Sequence, residues 1–495
     1  MHVPLSSTTS KSTGLRSNYL ALPEVLAQSI ALISPTMTAV LIIPYAFSFA
    51  GQGAWLSYLF GTVMLLFVAF NLNQFARRST APGSMYAYIG RGLGARWGVL
   101  SGWALLWCYL FIGTAGMNGF AIFSDQLLTA LGLGGHTPPI VFFLISGIIC
   151  WYLAYKDIRL SSILTLVLEG LSVLLILSLA AVVIFGHGFH VDTGQLTLKG
   201  VTLPGMSLGV VVSIFSLVGF ESATALGGEA KKPLRNIPLA VIWSLILTGL
   251  FFVVMSYVEV AGVQGYKTTL DQIAAPLNVL SDLYNVSFFK IPLSIGAMIS
   301  FFSLSLSCLN AGARIIFPMA RHGVFPKAMG EAHKVNRTPA LAITIYIAIM
   351  VLISIVLSMI TDTLTAFNDA GTLAAFGFLL AYFLISLAAP VYLKRIGALR
   401  PFGVVLTVLA VLFLLVPTVG SFYPVPAFPV SIFPYIFLAY MLIGVTWLFI
   451  VSRRSAGILQ EIEDDMEAYL QHHSHAAEEL QPQPEVVDEL GEAVS

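Results

Sequence analysis

The chain has 495 residues, of which 57% are apolar and only 10% charged, with a mean hydropathy of +0.89. That balance excludes a soluble globular domain and specifies an all-α integral membrane protein that crosses the bilayer many times. Formal charge is zero, with 24 Lys and Arg against 24 Asp and Glu. Even so, eleven of the acids lie from Glu461 onward, where there is no Lys or Arg, so the body is basic and the tail acidic.

A helix crossing the hydrocarbon core needs about 20 apolar residues. Twelve such runs occur, at 24–50, 54–75, 97–130, 137–155, 160–186, 203–228, 237–262, 289–320, 338–360, 363–392, 401–421 and 431–451. Residues 1–20 lack the basic, apolar, small-residue pattern of a cleaved signal, so they are expected to form a cytoplasmic segment before a retained first helix. The division that follows is 1–20 N-terminal segment, 21–455 transmembrane domain and 456–495 acidic cytoplasmic tail. The Pro, Glu and Gln content of the tail predicts disorder and a solubilising or a regulatory role.

Span one reads "ALISPTMTAVLIIPYAFSFAG". Pro35 and Pro44 each remove an amide donor and clash with the carbonyl four residues back, which weakens the ladder over Ser34, Met37, Thr38 and Ala39. In span three, Gly113 and Gly116 permit close helix approach beside Thr114 and Met117, two candidate pocket residues. Glu169 lies about 13 Å into span five by its rise per residue. Either a coupling proton or cation, or an interhelical hydrogen bond, would explain an acid there.

Span six carries "IFSLVGFESATALGGEAKKPLRNIP", where Val218, Gly219, Phe220 and Glu221 interrupt an apolar run. Glu221 orients the unwound backbone or carries a proton on one reading, and caps or packs on the other. Breaks at matching places in two halves of a membrane protein point to a substrate site between inverted repeats. Half-helix ends there would offer free amides to a carboxylate and free carbonyls to an ammonium, and a zwitterion suits both. Span eight bears a polar stripe of Ser300, Ser303, Ser307 and Asn310, which suits either helix packing or a cation path beside span one. Asp369, at the start of span ten, is expected as a solvated acid at the outer mouth.

With the N-terminus inside, twelve crossings put 21 Lys and Arg on the cytoplasmic side and leave only Lys199, Lys267 and Lys290 outside. Positive charge gathers on cytoplasmic loops, so both termini are expected inside a plasma membrane, here a bacterial inner membrane. Cys108, Cys150 and Cys308 are too few and too scattered for a disulfide framework or a metal site, and no metal is expected.

Four segments carry a resemblance to the amino acid, polyamine and organocation (APC) permease superfamily: "FSLVGFESATALGGEAKKPLRNIPLAV", "APGSMYAYIGRGLG", "LNAGARIIFPMARHGVFPKAMGEAHKVNRTPALAI" and "GTLAAFGFLLAYFLISLAAPVYLKR". The resemblance runs from about residue 20 to 450. It implies five helices inverted against five, two extra C-terminal helices, and transport by alternating access. It also implies Phe215 as an aromatic lid and Cys308 at a pocket-lining place, although a core Phe and a small packing residue are the plainer readings. The sequence departs from the family pattern twice. Met37, Thr38 and Ala39 stand where many members have Gly-Ser-Gly, and Ser172 stands where many have a coupling lysine in span five.

The expectation is therefore a secondary transporter and not an enzyme, with an amino acid as substrate or, alternatively, a polyamine or other organic cation. No filter repeat supports a channel, no nucleophile paired with a base supports an enzyme, and no Gly-x-x-x-x-Gly-Lys motif supports ATP-driven transport. The residues expected to bind substrate are Ser34, Met37, Thr38, Ala39, Thr114, Met117, Phe215, Val218, Gly219, Phe220, Glu221 and Cys308. Coupling to H+ or Na+ is assigned to Glu169, Ser172, Ser303 and Ser307. No other cofactor and no nucleic-acid partner is expected; the partners are the small-molecule substrate and the lipid bilayer, for a monomer or homodimer.

Overall fold

The structure, a computed structural model, describes residues 16–79, 85–133, 137–186, 188, 191–273, 275–423, 428–454, 457, 459–460 and 462–463. The acidic tail beyond Glu463, Lys11 and the first residues of "APGSMYAYIGRGLG" lie outside them. The described residues are helical with no strand; a single parallel bridge, Leu20 to Ala230, is the one piece of β pairing among them.

The helices that matter below are α1 (Leu22–Ile33), α2 (Ile43–Ala50), α3 (Ala54–Ala76), α4 (Met85–Leu93), α5 (Ala95–Ala130), α6 (Pro139–Lys156), α7 (Ile158–Gly186), α8 (Leu203–Leu217), α9 (Pro233–Gly262), α10 (Pro276–Leu283), α11 (Lys290–Arg321), α12 (Ala340–Ile360), α13 (Thr363–Arg395), α14 (Pro401–Gly420) and α15 (Phe433–Arg454). Eleven helical stretches among the described residues are long and apolar enough to cross a membrane. The first, Leu22–Ala76, has 55 residues, more than twice the length that one crossing needs, and is interrupted by a tight turn at Gly51–Gly53. Reading twelve crossings divides it there.

The centre of the molecule is α5, which packs most extensively on α11 and α13. Its glycines explain how the backbones come so near. A Cβ at Gly116 would stand 2.5 Å from Ser305 Oγ, and one at Gly119 would stand 2.2 Å from the Phe301 ring. A second group, α1, α3, α8 and α9, is joined in the same way, with Gly249 against Thr62 and Gly61 against Ser213. Small residues let helices approach where lipid supplies no hydrophobic drive.

At the end of the bundle that carries the basic loops, polar contacts close the structure. Arg314 and Glu229 form a bidentate pair, Nε to Oε2 at 2.6 Å and Nη2 to Oε1 at 3.2 Å, with both side chains 2% exposed. Arg16 pairs with Asp157, Arg159 with Glu24, and both guanidinium groups stack on Tyr19. The backbone of Tyr19 and Leu20 bonds to Glu229, and Lys231 N donates to Leu20 O, so the segment before α1 is tied to the loop after α8.

Candidate functional site

Both expected breaks are present. Span one stops at Ser34, which takes the left-handed conformation with φ +52°, and resumes through Pro35–Met37, a wide turn at Thr38–Ile42, and α2. Span six stops at Val218, which is extended; Gly219 follows at φ +102°, and a tight turn covers Phe220–Leu226. Gly219 is required twice over, because a side chain there would take a positive φ and its Cβ would lie 2.1 Å from Leu32 Cδ2.

The freed backbone groups that the structure pairs are held by the protein itself. Thr36 N donates to Glu169 Oε1 at 3.2 Å, Ser300 Oγ donates to Glu169 Oε2, and Thr36 Oγ1 meets Ser172 Oγ at 2.7 Å. Gly219 N donates to Glu221 Oε2 at 3.1 Å, Tyr382 OH donates to the same oxygen at 2.6 Å, and Tyr109 OH donates to Oε1 at 2.8 Å. Ser29 receives Ala223 N and donates to Phe220 O, so α1 braces the turn in span six. This corrects one expectation: the amides of Thr36 and Gly219 are engaged by Glu169 and Glu221 and do not stand open to a substrate carboxylate.

A cavity of about 430 Å³ opens beside the breaks, at the end of the bundle opposite the basic loops. Met37 and Val218 bring both breaks to it, and Phe215 lines it with its ring over Gly371, whose Cβ would stand 2.8 Å from Phe215 Cζ. Three of the expected pocket residues therefore share one cavity. The others do not line it. Ser34, Thr38, Ala39, Gly219, Phe220 and Glu221 are buried behind it in the breaks.

Thr114 bonds to Leu110 O in its own helix, and Met117 packs towards Ser354 and Gly147. The cavity is reached from α5 by Ile112 and Ala115 instead. Each helical residue turns by about 100°, so Thr114 and Met117 lie at the depth of Ile112 and Ala115 but on another face of α5. Cys308 packs against Gly113, and that small residue fills the helix interface. In the α11 stripe, Ser300 meets Ser34 and Glu169, and Asn310 donates to Ser161, while the hydroxyls of Ser303 and Ser307 are buried without a partner, as is that of Thr38.

Three features escaped the sequence reading. Asp369 is not a solvated mouth residue: it is 8% exposed and lines the cavity. Glu259 on α9, a further deep acid beside Glu169 and Glu221, is fully buried with neither carboxylate oxygen bonded. The third is Glu229, the buried partner of Arg314, which stands among the solvated Lys231, Lys232 and Arg235. The available signal for Asp369 and Glu259 was an acid one or two turns inside an apolar run, where solvation is already poor.

Residues 24–461 match the family described as Amino acid permease. The chain belongs to the amino acid permease family. It is 24% identical to the branched-chain amino acid permease BcaP of Bacillus subtilis over 70% of this chain and 75% of that protein. It is 27% identical to the cationic amino acid transporter 4 of Mus musculus over 66% of this chain, a match that spans about half of that longer protein, 53%. It is also 25% identical to the low-affinity putrescine importer PlaP of Escherichia coli, over 65% of this chain and 71% of that protein. The family and these relatives are transporters.

Proposed function

We propose that this permease is a secondary active transporter that moves an amino acid across the plasma membrane by alternating access, with both termini cytoplasmic. The observation that carries the reading is the convergence of two interrupted helices on one cavity, at Met37 and Val218. Substrate sits against the breaks, Phe215 closes over it, and the group containing α1 and α8 tilts against a scaffold of α5, α6, α11 and α12. The tight ion pairs at the basic end and the open cavity at the other fit a state that receives substrate from outside.

Coupling to H+ or Na+ belongs to this proposal. Glu169 ties span five to the break of span one through Thr36, and Ser300 joins it from α11. An acid in that position would feel any movement of the break. Permeases of polyamines or other organic cations form the second reading, which one observation favours: the cavity has a carboxylate, Asp369, in its wall.

A thermal-shift screen of the purified permease against the standard amino acids, polyamines and nucleobases tests substrate class, since a ligand that binds only the folded state raises its stability. A selective shift with one amino acid is expected. A shift confined to nucleobases would contradict the proposal.

A further inference from the structure

The cavity is mostly apolar, with Tyr45, Asn368, Asp369, Thr372 and Ser421 as its polar lining. Among its described lining residues, Asp369 is the only carboxylate or cationic group, and Tyr45, Phe49, Phe215, Phe367 and Phe376 line the same cavity. The Asp369 side chain has no hydrogen bond and no ion pair to any described residue, although it is 8% exposed. Neither of its oxygens is among the buried atoms that lack a partner, so the carboxylate faces the space of the cavity, where a donor on a ligand can reach it. Glu169 and Glu221, by contrast, are each engaged by two or more donors from neighbouring helices, and Glu259, which has none, does not line the cavity.

Asp369 is also connected to the breaks. Gly371, two residues on, underlies the Phe215 ring, and Val218 and Met37 line the same space. A ligand held at Asp369 therefore lies in the cavity that Phe215 would close. Tyr45 and Asn368 at the rim are exposed, so the site has an entrance.

We propose that Asp369 is the docking point for the positively charged nitrogen of an organic ammonium substrate, with the surrounding aromatic rings receiving its apolar body. The inference rests on the transport reading and narrows its substrate class to a primary amine or a cationic side chain carried on an aliphatic stem. The carboxylate supplies charge-assisted hydrogen bonds, and aromatic faces add a cation–π contribution. A neutral aliphatic amino acid would leave the acid unpaired and so would bind less well.

The test uses the full-length protein in detergent and measures binding of putrescine, L-lysine and L-leucine to the wild type, Asp369→Asn, Asp369→Glu and Thr372→Lys. Thr372 is one turn from Asp369, lines the same cavity and makes its hydrogen bond to Asn368 O of its own helix, so a lysine there can reach the carboxylate without breaking a tertiary hydrogen bond. Expected is a preference for putrescine or lysine over leucine in the wild type. Both Asp369→Asn and Thr372→Lys should weaken the cation by about tenfold or more, with leucine within about twofold, and Asp369→Glu should retain it. No binding of either cation by the wild type, equal loss for cation and leucine, or unchanged cation affinity in Thr372→Lys would overturn the assignment. Uptake of the same probes into proteoliposomes separates the two claims. Cation binding that depends on Asp369 but is never followed by uptake sinks the transport reading, whereas leucine uptake without cation binding sinks only this one.

Discussion

At the scale of single residues, the break in span six is a balance between a backbone that cannot hold a helix and side chains that satisfy what it exposes. Gly219 supplies the conformation, and Glu221, Tyr109 and Tyr382 supply the partners. Tyr382→Phe removes one donor from the buried Glu221 carboxylate and one acceptor from the Gly219 amide, which also bonds to the Tyr382 hydroxyl. The loss is expected to destabilise the permease by about 1–3 kcal/mol, the usual cost of leaving a buried group short of a bond. Thermal unfolding in detergent measures it, and an unchanged midpoint would show the bond to be dispensable. The Gly-Phe-Glu interruption was legible because a glycine and an acid are out of place in an apolar run. The tyrosines were not, because they arrive from 112 and 161 residues away and nothing local marks a Tyr as the donor to one particular acid.

At the scale of elements, helix ends and helix faces carry the argument. Asp362 caps α13, the helix that brings Asp369 to the cavity, by accepting from Leu364 N and Thr365 N at 3.0 Å each. The Thr365 hydroxyl and amide hold its carboxyl below the ordinary value. Because the folded value is depressed, the stabilisation is present above the unfolded pKa of about 3.9 and is lost as pH falls through the folded value. Asp362→Ala should cost about 1 kcal/mol near neutral pH, and the difference from wild type should shrink in acid. Unfolding midpoints across that range check the sign; a gap that widens in acid would contradict it.

The seam between α5 and α11 makes a stronger demand. Gly119→Leu would drive a side chain into the Phe301 ring and is expected to cost about 1–3 kcal/mol or more, visible as a lower unfolding midpoint. Sequence alone singled out Gly113 and Gly116 for close approach but not Gly119. It did not reveal that Ile112 and Ala115, not Thr114 and Met117, face the cavity, because the polar residues at that depth of α5, Thr114 and Asn118, bond within their own helix and do not mark the cavity face.

At the scale of the whole molecule, one end is locked and the other has a cavity. The Arg314–Glu229 pair ties α11 to the loop after α8, the two groups of helices that the transport cycle would move against each other. Removing Arg314 alone leaves a buried carboxylate uncompensated, so Arg314→Ala should destabilise the protein by about 3–5 kcal/mol. Opening of the basic end should also become easier, read as faster labelling of a cysteine placed in the loop after α8; slower or unchanged labelling would mean that the pair does not hold this end shut. The architecture was legible at this scale because hydropathy, charge asymmetry and paired breaks are properties of long stretches. The cavity was not, since its walls come from five separate regions of the chain that only packing assembles.

The most direct measurement is uptake into proteoliposomes by the wild type and Gly219→Leu, with insertion and monodispersity of both confirmed beforehand. If the interrupted helices form the transport site, the inserted Gly219→Leu protein fails to accumulate the substrate that the wild type concentrates. Normal uptake by that variant would contradict the account.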